Sequence, residues 1–171
     1  LEIFQERLSR EFSLQIIITA PSVAYQVVLK SKAVTIITSA SLLPDPSTIE
    51  SISEPIAVLH LLTPQPYMGG LMNYISTMFG KLINTTFLDE QRVLLQYHIP
   101  LSSILTDFYD KIKNISSGYG SYNYEIKGYE LCDVIKLDIL VADELVPALT
   151  SLVYRSQAQE IGKKIVSQLK E

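Results

Sequence analysis

Between residues 56 and 127 the spacing of apolar side chains changes repeatedly, and the order of those changes leaves few folds open. "IAVLHLL" (56–62) is a continuous apolar run, short enough for a buried strand. Pro66 suits the first turn of a helix in which Met68, Leu71, Met72, Ile75 and Phe79 recur at the 3.6-residue period, with Gly80 placed to close it. "KLINTTFL" (81–88) and "RVLLQYHI" (92–99) read as strands joined through Asp89, Glu90 and Gln91. In the second, Val93, Leu95, Tyr97 and Ile99 face one way, and Arg92, Gln96 and His98 the other. Leu101, Ile104, Leu105, Phe108, Ile112 and Ile115 form one helical stripe, and "GSYNYEIK" (120–127) a last strand with Tyr122, Tyr124 and Ile126 on one face. The order β-α-β-β-α-β is the split βαβ, ferredoxin-like arrangement of an α+β fold. Two helices on one face of a four-stranded sheet need only the single apolar stripe that each carries.

The flanks read differently. Leu1, Phe4, Leu8 and Phe12 recur at helical spacing, "LQIIIT" (14–19) is a strand ended by Pro21, and "VAYQVVL" and "AVTIIT" flank a Lys-Ser-Lys turn as a hairpin. "LLPDPSTIESISEP" (42–55), rich in proline, serine and acids, is the best boundary in the chain. Beyond the central unit come "VIKLDILV" (134–141), "ALTSLVY" (148–154) and a helix carrying Ala158, Ile161, Ile165 and Leu169. The division expected is 1–55, 56–130 and 131–171. A start at Leu1, directly in helical periodicity, suits a piece of a longer protein.

Charge and motifs exclude several functions. The formal net charge is −4, without the strong positive field of a dedicated nucleic-acid binder. From Arg155 to Glu171 the balance is nevertheless +2, so only this end approaches phosphate comfortably, although a solvated helix face also explains it. A phosphate-cradling loop needs GxxxxGK[ST] after a strand, and Gly118, Gly120 and Gly162 stand in no such frame. "SSGYGSYNYE" (116–125) shares only its composition with an RNA-stacking motif; glycines ahead of an edge strand with half-buried tyrosines account for it better. His60 and His98 fall on neighbouring strands but lack a firm third metal ligand. Cys132 has no activating neighbour, and its being single excludes an internal disulfide framework and suits a reducing compartment. No run of about 20 apolar residues spans a membrane. Catalysis within this chain has no positive support. A free-standing ferredoxin-like module that binds a protein or small effector remains an alternative, as does a metal-dependent enzyme using His60 and His98.

Longer stretches add a resemblance. "LEIFQERLSREFSLQIIITAPSVAYQV", "LPDPSTIESISEP", "YISTMFGKLINTTFLDEQRVLLQYHIPLSSILTDFYDKIKNISSGYGSYNYE" and "VIKLDILVADELVPALTSLVYRSQAQEIGKKIVSQLKE" resemble, in this order, the back half of the LepA family of translational GTPases, relatives of elongation factor G. The resemblance implies that residues 1 to about 40 end the family's third domain and its exit hairpin. Residues 56–130 would be the counterpart of domain five of elongation factor G, and residues from about 131 the opening of a LepA-specific C-terminal domain. It implies GTP and Mg in a G domain elsewhere, no cofactor in this stretch, and the ribosome and tRNA as partners. It also implies a cytoplasmic setting with peripheral association at the inner membrane. Phosphate contacts are expected first from Arg155, Lys163 and Lys164, then from Lys81, Lys111 and Lys113. Ser117, Phe79 and Tyr154 stand where the family is expected to carry an arginine, a basic residue and a histidine.

Overall fold

The computed structural model describes residues 10–11, 22–105, 107–141, 143–146 and 149–168. Apart from Arg10 and Glu11, which are helical, the helix and strand expected before Pro21 lie outside these residues, as does Leu169. Ten strands are described: β1 (Tyr25–Leu29), β2 (Val34–Ile37), β3 (Ile49–Pro64), β4 (Lys81–Phe87), β5 (Arg92–Pro100), β6 (Ser121–Leu131), β7 (Val134–Leu137), β8 (Leu140–Val141), β9 (Glu144–Leu145) and β10 (Ser151–Tyr154). The helices are α1 (Met68–Thr77), α2 (Leu101–Ile104), α3 (Phe108–Ile115) and α4 (Ala158–Gln168). No described helix is long and apolar enough to cross a membrane.

β3 organises the main sheet. Its residues 56–64 pair antiparallel with β5, its residues 53–62 with β6, and β5 pairs in turn with β4. The resulting order, β6-β3-β5-β4, is that of a ferredoxin-like sheet built from the expected β-α-β-β-α-β sequence of elements. Alternation puts Ala57, Leu59 and Leu61 of β3 and Val93, Leu95, Tyr97 and Ile99 of β5 on one face. There they share a core with Leu71 and Ile75 of α1 and Phe108 and Ile112 of α3. All of these are 0 or 1% exposed, so both helices cover the same face.

The structure refines three expectations. In the proline- and serine-rich stretch 42–55, expected as a boundary, β3 starts at Ile49 and crosses residue 55 without a break. Its first residues pair with β1, which forms the expected hairpin with β2. Pro55 stands where pairing with β1 has ended at Ser53 and pairing with β5 begins at Ile56, while on the other edge it lies opposite Tyr129 of β6. Second, the Leu101–Ile115 stripe is two helices. Leu105 turns away to pack against a second core, while Ile104, Phe108 and Ile112 stay in the first. Third, Phe79 leaves the α1 stripe. The helix stops at Thr77, and Phe79 takes the left-handed conformation (φ +59°) while Gly80 N donates to Ile75 O at 3.1 Å.

The second core joins the hairpin to the C-terminal part. Val23, Tyr25, Val27, Ile37 and Val134 are its buried members, with Cys132, Leu152 and Tyr154 packed against them. β7 pairs with β10, and the alternating run expected over 134–141 breaks after Leu137, its end turning into a short β8–β9 ladder.

Candidate nucleic-acid interface

The stretch 116–122 is held by its own backbone. Ser116, 0% exposed, donates through Oγ to Ile112 O at 2.6 Å and accepts from Gly120 N at 2.7 Å. Ser117 (φ +50°) and Gly118 (φ +88°) then reverse the chain, with Gly118 N donating to Lys113 O at 2.7 Å. Lys113 Nζ closes the turn by donating to Gly118 O at 3.1 Å. This tight exit from α3 drives Tyr119 outward: it is 70% exposed, and its ring lies 6.3 Å from that of Tyr67 at an interplanar angle of 19°. Tyr109, also exposed, sits beneath the Lys113 ammonium at 5.6 Å and beside Tyr122 at 6.5 Å.

The corner therefore combines presented aromatic rings with the Lys113 ammonium, and Lys111 is exposed on the same helix. Such a surface can stack on splayed bases and meet phosphate. From sequence, the stretch containing Tyr119 is weighed as a stacking surface and set aside for half-buried tyrosines, whereas Tyr119 is 70% exposed. Tyr109 and Tyr67 were missed because their spacing in sequence carries no sign of the rings they meet. The glycines flanking Tyr119 were the available signal.

The other basic candidates are dispersed. Lys81 lies opposite His98 on the helix-free face and pairs with Glu130 at 3.7 Å, so the sheet separates it from the α3 lysines. Arg155 Nε donates to both oxygens of Asp133 at 3.1 Å. Lys163 and Lys164 are adjacent and exposed on α4. His60 and His98 share the helix-free face, but they have different partners. Gln96 Nε2 donates to His60 Nδ1 at 3.1 Å, and Lys127 Nζ to His98 Nδ1 at 3.4 Å. Among the described residues no three His, Cys, Asp or Glu side chains converge as a metal would require.

A different cluster forms where β3, β6, β10 and the α1–β4 turn meet. The Tyr154 hydroxyl lies 2.6 and 2.5 Å from the two oxygens of Glu54, a carboxylate only 4% exposed. The Phe79 ring packs on Tyr154 at 4.2 Å between centroids. Burial raises the Glu54 pKa, an effect the Tyr154 hydrogen bond opposes. Burial, then the charges of Glu54 and Asp133, push the Cys132 thiol up to about 12, so it carries no reactive thiolate at neutral pH.

A ferredoxin-like α+β domain with an exposed aromatic and basic corner is the class that fold and surface define. The chain belongs to the family of the elongation factor G C-terminus, whose model matches residues 51–153. Over its whole length it is also homologous to elongation factor 4, the LepA protein, as the resemblance implies. It is 42% identical over 171 residues to elongation factor 4 of Symbiobacterium thermophilum, covering 100% of this chain and 28% of that protein. Identity to elongation factor 4 of Bacillus cereus is 43% over 171 residues, with the same coverage of 100% and 28%. For the Chlamydia trachomatis protein of that name it is 43% over 169 residues, or 99% and 28%. The chain thus spans 28% of the length of the curated relatives it matches.

Proposed function

We propose that this chain is the ribosome-binding portion of a translational GTPase of the elongation factor 4 type. The full protein would act on ribosome-bound tRNA during protein synthesis and hydrolyse GTP, with Mg, in a G domain outside this sequence. The observation that carries the reading is the unbroken similarity, at 42% identity over 171 residues, to proteins named elongation factor 4. On this reading residues 1–55 close a preceding domain and its linker, 56–130 form the counterpart of domain five of elongation factor G, and 131–171 open the C-terminal domain of the family. The cytoplasm, with peripheral contact at the inner membrane, is the corresponding location.

The role of the chain is mechanical and electrostatic. A sheet packed on two helices gives a stiff spacer, and its lysines meet rRNA phosphate. Lys163 and Lys164, with Arg155, form the first contact group, and Lys113 at the Tyr119 turn, with Lys111 on the same helix, a second; Lys81 is the remaining candidate. Phosphate contacts release counterions, so binding weakens steeply with salt. Changing Lys163 and Lys164 to Glu in the intact factor is expected to weaken ribosome association. It should also flatten the salt dependence, by about one logarithmic unit of slope for each phosphate no longer neutralised. A salt-titrated ribosome pelleting assay reads both; binding unchanged at every salt concentration would remove these two lysines from the interface.

A further inference from the structure

A cavity of about 270 Å³ opens beside Glu54, walled by Ile56, Phe79 and Pro100 and rimmed by Leu131. It has several times the ~30 Å³ that one water occupies in the liquid. The charged groups around it are mostly matched in contact. Glu130 lies 3.7 Å from Lys81 and 3.4 Å from Lys127, and Asp133 lies 3.1 Å from Arg155. Glu54 differs: among the described residues it has no cationic partner within ion-pair distance, the Lys81 ammonium, which with His98 also lines the cavity, acting on it only from further off. It is nevertheless the most buried of these carboxylates. Its one donor is the Tyr154 hydroxyl, which has a single hydrogen to share between two oxygens offering about four lone pairs. A desolvated carboxylate with that deficit attracts a cation, and the Phe79–Tyr154 ring pair adds aromatic surface of the kind cations favour.

We propose that this cavity binds an organic cation, with an ammonium or guanidinium head against the Glu54 carboxylate and a short apolar stem along Ile56, Phe79 and Pro100. The shared chemistry admits two sources, a free amine or a lysine or arginine side chain of another protein segment. Titration of the 171-residue chain with butylammonium, butylguanidinium or N-acetyl-lysine methylamide, followed by backbone amide NMR shifts, tests it. Saturable shifts at Glu54, Phe79 and Tyr154 are expected, weakened at least about tenfold in Glu54→Gln, which keeps the shape and removes the charge. Phe79→Lys places an ammonium beside the carboxylate from within, and is expected to abolish butylammonium binding and shift Tm upward. Binding by N-acetyl-lysine methylamide points to a protein side chain as the natural occupant; binding by the free cations alone points to a small molecule, and either supports the site. Equal shifts with uncharged butanol, full binding by Glu54→Gln, or a Glu54 carboxyl still protonated at neutral pH by its side-chain carbon shift would overturn it. None of these readouts involves ribosomes, so failure here leaves the proposed function standing.

Discussion

Tyr154 and Glu54 are separated by 100 positions in the chain and meet through a single hydroxyl, a contact no local pattern announces. Tyr154→Phe keeps the ring on Phe79 but strips the buried carboxylate of its donor, and is expected to cost about 1–3 kcal/mol in urea unfolding. Glu54→Gln makes the opposite test. Burial holds the folded pKa of Glu54 above its ordinary value of 4.5. The contribution of the protonated form is therefore full below that value and is lost as pH rises through the higher folded pKa. Thermal melts across that window should show Glu54→Gln gaining on the parent chain as pH increases; a constant difference would mean that burial does not penalise the charged form. At this scale the sequence marked Lys163, Lys164 and Arg155 by composition alone, since exposed charge is visible in one dimension. It weighed and set aside the stretch that presents Tyr119, and it did not mark the Glu54 cluster, which exists only through contacts between distant segments.

Elements were legible where one periodicity dominated. The strands at 56–62 and 92–99 and the helix after Pro66 follow directly from residue spacing, because one buried face imposes one period. Ends were less legible. Phe79 fits the helical stripe by number, yet the helix has already ended, and the left-handed conformation that glycine favours falls on Phe79 instead of Gly80. Gly80 is needed for space: a Cβ there would lie 2.3 Å from Ile75 Cγ2 and 2.9 Å from Ile75 O. Gly80→Ala should therefore lower stability by about 1–3 kcal/mol. Gly69, inside α1, has nothing within 4 Å of such a Cβ, so Gly69→Ala should raise stability by about 0.5–1 kcal/mol. Paired denaturant titrations check both, and equal effects at the two sites would show that backbone freedom, not crowding, governs the α1–β4 turn.

Across the whole molecule two cores share β3, one beneath the helices and one between the hairpin and the C-terminal strands. Both cores hold titratable groups, since burial also raises the pKa of Tyr97, Tyr74 and Tyr122 around the first, but the largest shifts lie in the second. Tyr25, chiefly through burial, has its pKa raised to about 12, as does Cys132, and Tyr154 is raised as well. These shifts favour the neutral forms, so their stabilisation is intact below the ordinary values of 9.0 for the thiol and 10.0 for the phenols. It is lost as pH climbs toward 12. Alkaline titration should thus loosen the junction before the ferredoxin-like unit. Hydrogen exchange in β10 and alkylation of Cys132 should accelerate while β5 stays protected; simultaneous loss in both regions would show the two cores to be one cooperative unit.

What the residues determined unaided was the β-α-β-β-α-β unit, because each element declares itself through the short-range repeat of one buried face. The tertiary structure alone decided that β3 runs through residue 55, that the six candidate cations are divided among several surfaces, and that a buried carboxylate faces a cavity at the junction. Those outcomes depend on which distant segments share a core, and distance along the chain carries no record of that.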